Sequence, residues 1–309
     1  MTIGVTVRSG AKTSNKYAYG KIENNMSKLG VELFESYAIF RVWAPFAQEV
    51  SVIGDFSKWQ PIAMVKDDKT GIWEAKVDDV EAGHGYKYQI KGYDGVVRYL
   101  NDPRARALTD SDDGAGIISD GHFDWEGLEK VDMVPLDKQV LYEIHIGTFV
   151  RPDPATSGNF HTAIGKLDYL RNLGVTTIEL MPITSMATSY GWGYAPSALY
   201  SVENSYGGGY GLKKFVREAH RRGLAVILDV VYNHFGPKAA LWQFDGWHEN
   251  NRGGIYFYND GRGDTPWGAR PDYGRPEVRD FILDNVSMWL NEYHVDGFRL
   301  DSTIYMRNT

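Results

Sequence analysis

The residues with the clearest chemical potential lie in the segment Val295-Asp-Gly-Phe-Arg-Leu-Asp301. This segment is typical of a parallel β-strand, and because side chains alternate along a strand, Arg299 and Asp301 share one face of it. A guanidinium favours the ionised form of a neighbouring carboxylate, which is the form that a carboxylate nucleophile requires. An ion pair that only stabilises the strand end is the alternative, since structural pairs are common as well. The residues that precede this segment indicate whether the pair is a nucleophile with its neighbour or a structural ion pair.

Three further clusters of reactive or aromatic side chains precede this segment. They are Tyr142-Glu-Ile-His145, Tyr190-Gly-Trp-Gly-Tyr194 and Asp229-Val-Val-Tyr-Asn-His234. Each of them alone has an ordinary structural explanation, as a satisfied histidine or a packed aromatic loop. Each also stands at the end of a predicted strand, and the carboxyl ends of parallel barrel strands meet at one mouth. We therefore expect the four clusters to converge on one site.

The elements that must position these clusters alternate between strand and helix. Glycines at 174 and 223 mark two of the helix ends. The third strand is a near-continuous apolar run, which is typical of a sheet covered on both faces. This rhythm predicts right-handed parallel crossovers. The predicted strands are residues 139–146, 175–180, 224–231 and 295–301, and the predicted helices are residues 161–173, 212–222 and 275–293.

The preceding part of the chain has a different periodicity. Short alternating runs at residues 38–43, 49–53, 72–77 and 86–90 are separated by turn-forming residues, a pattern that predicts an antiparallel, immunoglobulin-like β-sandwich. The predicted fold class is α/β: a sandwich followed by the first half of a (β/α)8 barrel. The predicted organisation is a loosely ordered segment at 1–30, the sandwich at 31–122, a connector at 123–138 and four β/α units at 139–309.

Composition narrows the possible partners. The chain has 309 residues, 43% of them hydrophobic, and a net charge of −7, which argues against nucleic acid and anionic membranes as partners. It contains no apolar run of about 18 residues and no signal-peptide core, so a cytoplasmic location is expected. The absence of cysteine excludes disulfides and thiolate metal sites. No cofactor and no metal are expected, and the oligomeric state stays open.

Two of the motifs carry a resemblance to a known family. Asp229-Val-Val-Tyr-Asn-His234 and Gly297-Phe-Arg-Leu-Asp301 resemble two signature regions of the alpha-amylase family, whose members are retaining enzymes that act on alpha-glucans in a (β/α)8 barrel. The resemblance extends from about residue 31 onward. It implies that Asp301 is the nucleophile and that Arg299 is its neighbour in the catalytic subsite.

The same resemblance implies roles for the surrounding side chains. Asp229 supports the site, Asn233 orients it, and His234 forms a hydrogen bond with a sugar hydroxyl. Tyr194 is similar to the tyrosine that stacks beneath the reacting glucose. Trp192, in the same aromatic loop, is a further expected contact with the substrate, an alpha-1,4-glucan such as glycogen, starch or a maltooligosaccharide.

The motifs point to more than one activity within the family. Gly54-Asp-Phe-Ser-Lys-Trp59 and Asp272-Tyr-Gly-Arg-Pro-Glu-Val-Arg279 are similar to motifs of 1,4-alpha-glucan (glycogen) branching enzymes, which is the preferred prediction. The sequence from Asp229 to Pro237 is more similar to maltooligosyltrehalose trehalohydrolases and debranching enzymes. Ser302-Thr303 departs from the small apolar residues that both groups have after the nucleophile.

A retaining glycosidase needs a second carboxyl group about 5 Å from the nucleophile to act as the acid. In the family this is a glutamate after the fifth strand, whereas only four strands are predicted here. We therefore expect an N-terminal part of a longer enzyme that is inactive alone. A non-catalytic glucan-binding protein, with Trp43, Trp59 and Trp73 stacking on sugars, is the alternative of another class. The Arg299 and Asp301 pair argues against it, because a binding module needs no nucleophile.

Overall fold

The N-terminal part of the chain is built from two antiparallel sheets. The computed structural model describes residues 28–109, 114–186, 191–236 and 239–307. Most of the segment expected to be loosely ordered, residues 1–27, lies outside the described residues. The first sheet has the order β1-β2-β6-β5, and the second has the order β4-β3-β7-β8, with β9 beside β7. The strands are β1 (Gly30–Leu33), β2 (Tyr37–Trp43), β3 (Glu49–Gly54), β4 (Ile62–Ala63), β5 (Val65–Asp67), β6 (Ile72–Asp78), β7 (Gly85–Lys91), β8 (Val97–Leu100) and β9 (Gly116–Ile117).

The two sheets pack face to face, which confirms the predicted sandwich. Phe40 of β2 and Tyr86 of β7 are buried, and their ring centroids lie 5.4 Å apart across the interface. Trp43 and Trp73 are also buried, so they belong to the core and offer no surface for a sugar. Trp59 is the exception among the three tryptophans considered for sugar stacking, with 41% of its surface exposed.

The second part of the chain is a parallel sheet of four strands, as predicted. The order of its strands is β10-β11-β14-β15, so neighbouring strands in the sheet follow one another in the same order along the chain. Each pair is parallel and in register without a break. Their bounds are β10 (Leu141–Ile144), β11 (Thr177–Leu180), β14 (Ala225–Val230) and β15 (Gly297–Leu300).

Helices connect these strands in the predicted places, but one prediction is wrong in detail. The helix expected at residues 161–173 is two helices, because α2 ends at Gly165, whose N–H donates to the carbonyl of Ala163. Glycine costs about 1 kcal/mol relative to alanine inside a helix, so a break there is inexpensive. The helices are α1 (Ile146–Phe149), α2 (Phe160–Ile164), α3 (Leu167–Asn172), α4 (Gly208–Arg221), α5 (Pro276–Asn291) and α6 (Ile304–Arg307). No helix in the described ranges is both long and apolar enough to cross a membrane.

A hairpin that the sequence analysis did not predict stands between the second parallel strand and α4. It consists of β12 (Thr184–Met186) and β13 (Pro196–Val202), which pair antiparallel with irregular register. The hairpin carries the aromatic loop toward the mouth of the parallel sheet. Of that loop, residues 191–194 are described and Tyr190 is not.

The segment between β14 and α5 joins the two parts of the molecule. Asp245 is fully buried, and its Oδ2 accepts a hydrogen bond of 2.9 Å from the backbone N–H of Phe46 in the sandwich. Its carbonyl accepts another, of 2.8 Å, from the N–H of Tyr93. The rings of Phe46 and Trp247 stack with centroids 4.8 Å apart. The sandwich is therefore fixed against the segment that follows the third parallel strand.

A buried histidine links α4 to the parallel sheet. His220 lies in the last turn of α4, with its side chain fully buried. Its Nδ1 lies 2.8 Å from the carbonyl oxygen of Leu128 and its Nε2 lies 2.9 Å from Oδ2 of Asp296. Both partners are acceptors, so both ring nitrogens carry protons. Burial alone would lower the pKa of His220, but the hydrogen bond and the charge of Asp296 outweigh it and raise that pKa.

This link makes the fold sensitive to pH. Because the pKa of His220 is raised in the folded state, its stabilisation is complete at acidic pH and is lost as pH rises through the folded-state pKa, above the usual 6.5. We expect His220→Gln to lower the free energy of unfolding by about 3 kcal/mol at pH 6 and by less at higher pH, because it leaves Asp296, whose side chain is only 10% exposed, without its cation. Denaturant titrations across this pH range measure the effect. The exposed His161→Gln is the matched control, and equal losses at all pH values would contradict the prediction.

Candidate active site

The centre of the site is one guanidinium shared between two carboxylates. Arg299 stands directly opposite Asp229 in the register of β15 against β14. Its Nη1 lies 2.9 and 2.8 Å from the two carboxylate oxygens of Asp229 and 2.8 Å from Oδ1 of Asp301. Arg299 and Asp301 thus meet on one face, as strand alternation predicts. Asp229, which the sequence placed at the end of a different strand, joins them.

The charges in this group differ in their exposure. The side chain of Asp229 is fully buried, whereas that of Asp301 is 18% exposed and faces the mouth of the sheet. Burial raises the pKa of Asp229, and hydrogen bonds from Tyr194 and Arg299 oppose that rise. Burial would lower the pKa of Arg299, but the hydrogen bond and charge of Asp229 raise it well above its usual range. The guanidinium therefore stays charged at any working pH.

Tyr194 closes one side of the site. Its hydroxyl donates a hydrogen bond of 2.6 Å to Oδ2 of Asp229. The guanidinium of Arg299 lies 5.9 Å from the centre of its ring. Burial raises the pKa of this phenol, and the hydrogen bond to Asp229 raises it further, so it remains a donor. The ring is held at a fixed place beside the ion pair.

Asn233, which is bonded to His234, holds Asp301 from the other side. The side-chain amide of Asn233 is buried and donates hydrogen bonds of 3.0 Å to both the carbonyl and Oδ2 of Asp301. Its Oδ1 lies 2.6 Å from Nδ1 of His234, which must therefore carry the proton. Burial lowers the pKa of His234, although the backbone of Tyr194 and the charge of Asp301 favour its protonated form. The Nε2 atom is buried, has no hydrogen-bond partner among the described residues, and is available as an acceptor.

The structure thus brings together six of the seven predicted site residues. Trp192 is the exception, because its side chain is 71% exposed and no contact among the described residues joins it to the ion pair. His145, the histidine of the first predicted cluster, contributes to the site only through the loop that carries Tyr194. Its Nε2 lies 3.1 Å from the carbonyl oxygen of Gly191 and 3.0 Å from the hydroxyl of Tyr206, so it anchors the loop that carries Tyr194.

Two features of the site were missed by the sequence analysis. Trp267 lies beside His234, with ring centroids 5.6 Å apart, and half of its surface is exposed. It comes from the long segment before α5, where no periodic pattern indicated its position. The other feature is an acidic cluster formed by Glu143, Glu179 and Asp229, whose nearest oxygens lie within 4.8 Å of one another. Glu143 and Glu179 stand within two of the predicted strands, and nothing in the sequence around them indicates that the three carboxyl groups meet.

Comparisons with known proteins agree with this geometry. Residues 143–272 match the alpha amylase catalytic domain, and residues 28–105 match carbohydrate-binding module 48, the isoamylase N-terminal domain. The malto-oligosyltrehalose trehalohydrolase of Saccharolobus solfataricus is 41% identical over 276 residues, which cover 88% of this chain and 45% of that protein. A 1,4-alpha-glucan branching enzyme of Corynebacterium jeikeium is 35% identical over 93% of this chain and 40% of that enzyme.

A solved structure shows the same arrangement of elements. The catalytic module of the multi-modular glycogen-degrading pneumococcal virulence factor SpuA superposes with a TM-score of 0.74 at 27% identity, over 88% of this chain and 46% of that one. The present chain therefore spans less than half the length of the relatives it matches. The ion pair at the mouth of the parallel sheet and the antiparallel module before it agree with these matches, in which residues 143–272 are similar to the alpha amylase catalytic domain and residues 28–105 to a carbohydrate-binding module 48.

Proposed function

We propose that this chain supplies the nucleophile and the donor-sugar site of a retaining enzyme that acts on alpha-1,4-glucans, and that the whole enzyme is a 1,4-alpha-glucan branching enzyme. The observation that carries the proposal is the environment of Asp301. One of its carboxylate oxygens is held by Arg299 and the other by Asn233, while the side chain stays partly open to the mouth of the sheet. A carboxylate that is charged, oriented and accessible is what an attack on an anomeric carbon requires.

In the proposed reaction Asp301 attacks the anomeric carbon of the donor glucose. The bond from that carbon to the glycosidic oxygen breaks as the bond to the aspartate forms, and the departing oxygen takes a proton from a carboxylic acid. The side chains that bond to Asp301 among the described residues are Arg299 and Asn233, and neither is an acid. The proposal therefore assigns to this chain the nucleophile and the groups that orient it.

The surrounding groups fit a neutral, polyhydroxylated substrate. The ring of Tyr194 offers an apolar face of the kind on which sugar rings stack. The Nε2 atom of His234 is buried and has no hydrogen-bond partner among the described residues, and we propose that it accepts a hydrogen bond from a sugar hydroxyl when the substrate is bound. Trp59, at the surface of the sandwich, has its Nε1 bonded to Asp55 at 2.9 Å, which fixes its exposed ring for contact with a longer glucan.

The covalent glucosyl enzyme can react further in two ways. Transfer to the 6-hydroxyl of another glucan gives a branch, and transfer to water gives hydrolysis. The branching-enzyme motifs around Trp59 and Asp272 favour the first. The 41% identity to a trehalohydrolase favours the second, with release of trehalose, and makes that activity the second candidate.

The role of Asp301 is tested by its replacement. We expect Asp301→Asn to lower the turnover of amylose by the whole enzyme by about 10⁴-fold or more, because an amide cannot form the glucosyl ester. Turnover is measured from the change in chain-length distribution. In the unmodified enzyme, the glucosyl ester of Asp301 is sought by intact-protein mass spectrometry, and the variant should not form it. The exposed Asp132→Asn is the matched control. Turnover retained within tenfold would exclude Asp301 as the nucleophile.

The contribution of the Tyr194 hydroxyl is tested separately from that of its ring. Tyr194→Phe removes the donor to Asp229 but keeps the aromatic face. We expect kcat/KM to fall by about 10-fold, which corresponds to about 1.4 kcal/mol, a typical value for a hydrogen bond to a charged group. Tyr194→Ala should lose more, because the stacking surface is lost as well. Tyr210→Phe, at an exposed tyrosine, serves as control, and equal effects of the Phe and Ala changes at position 194 would contradict a stacking role.

Product analysis separates the two candidate activities. With amylose as substrate, a branching enzyme produces alpha-1,6 linkages, visible in the anomeric region of the proton NMR spectrum, without a matching rise in reducing ends. We expect this result. Release of free trehalose from maltotriosyltrehalose would favour the trehalohydrolase instead. Binding of amylose with neither product would favour the non-catalytic glucan-binding protein.

A further inference from the structure

We propose that Glu179 is a positioning residue of this site that functions as a neutral carboxylic acid. Because it is neutral, it leaves Arg299 hydrogen-bonded to Asp229 and Asp301. The structural part of this proposal stands on the described residues alone. Its consequence for catalysis rests on the proposed function.

The placement of Glu179 follows from the register of the parallel sheet. Glu179 of β11 stands opposite Glu143 of β10 and opposite Ile227 of β14. Asp229 is two residues beyond Ile227 and so lies on the same face, one layer closer to the mouth. The nearest oxygens of the three carboxyl groups consequently lie within 4.8 Å of one another.

The cluster has too little positive charge for three carboxylates. The charged groups that face Glu179 are Glu143 on β10, Asp229 on β14 and Arg299 on β15. The hydrogen bonds of Arg299 go to Asp229 and Asp301, and the hydroxyl of Tyr194 also goes to Asp229. Within the described ranges the carboxyl group of Glu179 makes no hydrogen bond and no ion pair, and the residue is only 8% exposed.

An ionised carboxylate in this position is unfavourable. Burial raises the pKa of Glu179, and the charges of Asp229 and Glu143 raise it further, whereas Arg299 opposes them. An ionised Glu179 would repel Asp229 and attract the guanidinium away from Asp301. With a proton on Glu179, the guanidinium is divided between two carboxylates, and the nucleophile keeps its orientation.

The protonation state can be read from stability, without any assay of activity. A carboxyl group whose pKa is raised by folding contributes its stability fully below the unfolded-state pKa, and this contribution is lost as pH rises through the folded-state pKa. A glutamine side chain does not ionise, so Glu179→Gln escapes that loss. We therefore expect the unfolding midpoint of this variant, measured relative to the unmodified protein, to rise as pH increases from about 4.5 and then to level off. Glu35→Gln, at an exposed glutamate, should show no such trend. A difference that is constant or falls with pH would overturn the proposal.

Two further measurements test whether a proton, rather than a bound cation, holds the cluster. In the whole enzyme, Glu179→Gln should shift the alkaline limb of the pH profile of kcat/KM to higher pH, and an unshifted limb would overturn the positioning role. Stabilisation by added Mg²⁺ or Ca²⁺ that is lost in Glu179→Gln would show that a cation holds the cluster, and would also overturn it. If the whole enzyme transforms no alpha-glucan, the proposed function fails, while the stability measurement still reports on Glu179.

Discussion

The site depends on a single cation, the guanidinium of Arg299, placed between two carboxylates. It binds both oxygens of Asp229 and one oxygen of Asp301. Asp229 is buried, so an uncompensated charge there would cost several kcal/mol, and Arg299 is the group that compensates it. Tyr194 and Asn233 complete the coordination of the two carboxylates. Arg299 therefore sets the relative positions of the two carboxylates, and the other contacts at the mouth depend on those positions.

The module ahead of the catalytic segment helps to hold that geometry. Arg106, which lies between β8 and β9, makes two hydrogen bonds of 2.9 and 2.6 Å to the carboxylate of Glu292, just beyond α5. The strand that carries Arg299 begins five residues later, at Gly297. His220 and Asp296 tie the start of the same strand to α4. The strand that carries Arg299 and leads to Asp301 is thus anchored at its start by charged pairs from two directions, which limits its shift relative to β14.

The sequence predicted what depends on local periodicity. Alternation placed Arg299 and Asp301 on one face, and the apolar run of 224–231 predicted a sheet covered on both sides. The break at Gly165 was missed because the apolar spacing continues across it. Glu179 was missed for a different reason: its chemistry depends on Glu143 and Asp229, which lie 36 and 50 residues away along the chain. A pattern within one strand carries no information on the charges of its neighbours, and the same limit hid the position of Trp267.

In the proposed reaction, the charge of the site favours the transition state over the substrate. With Glu179 neutral, the two carboxylates that bind Arg299, those of Asp229 and Asp301, carry one more charge than the guanidinium. A neutral glucan gains little from that excess, whereas the oxocarbenium-like transition state carries positive charge and is stabilised by it. An ionised Glu179 would add negative charge, but one layer below the mouth, where its attraction for the reacting carbon is weakened by distance. It would also attract Arg299, whose charge acts on Glu179, and the orientation of Asp301 would suffer. A neutral acid beneath the ion pair therefore serves the reaction better than a further carboxylate.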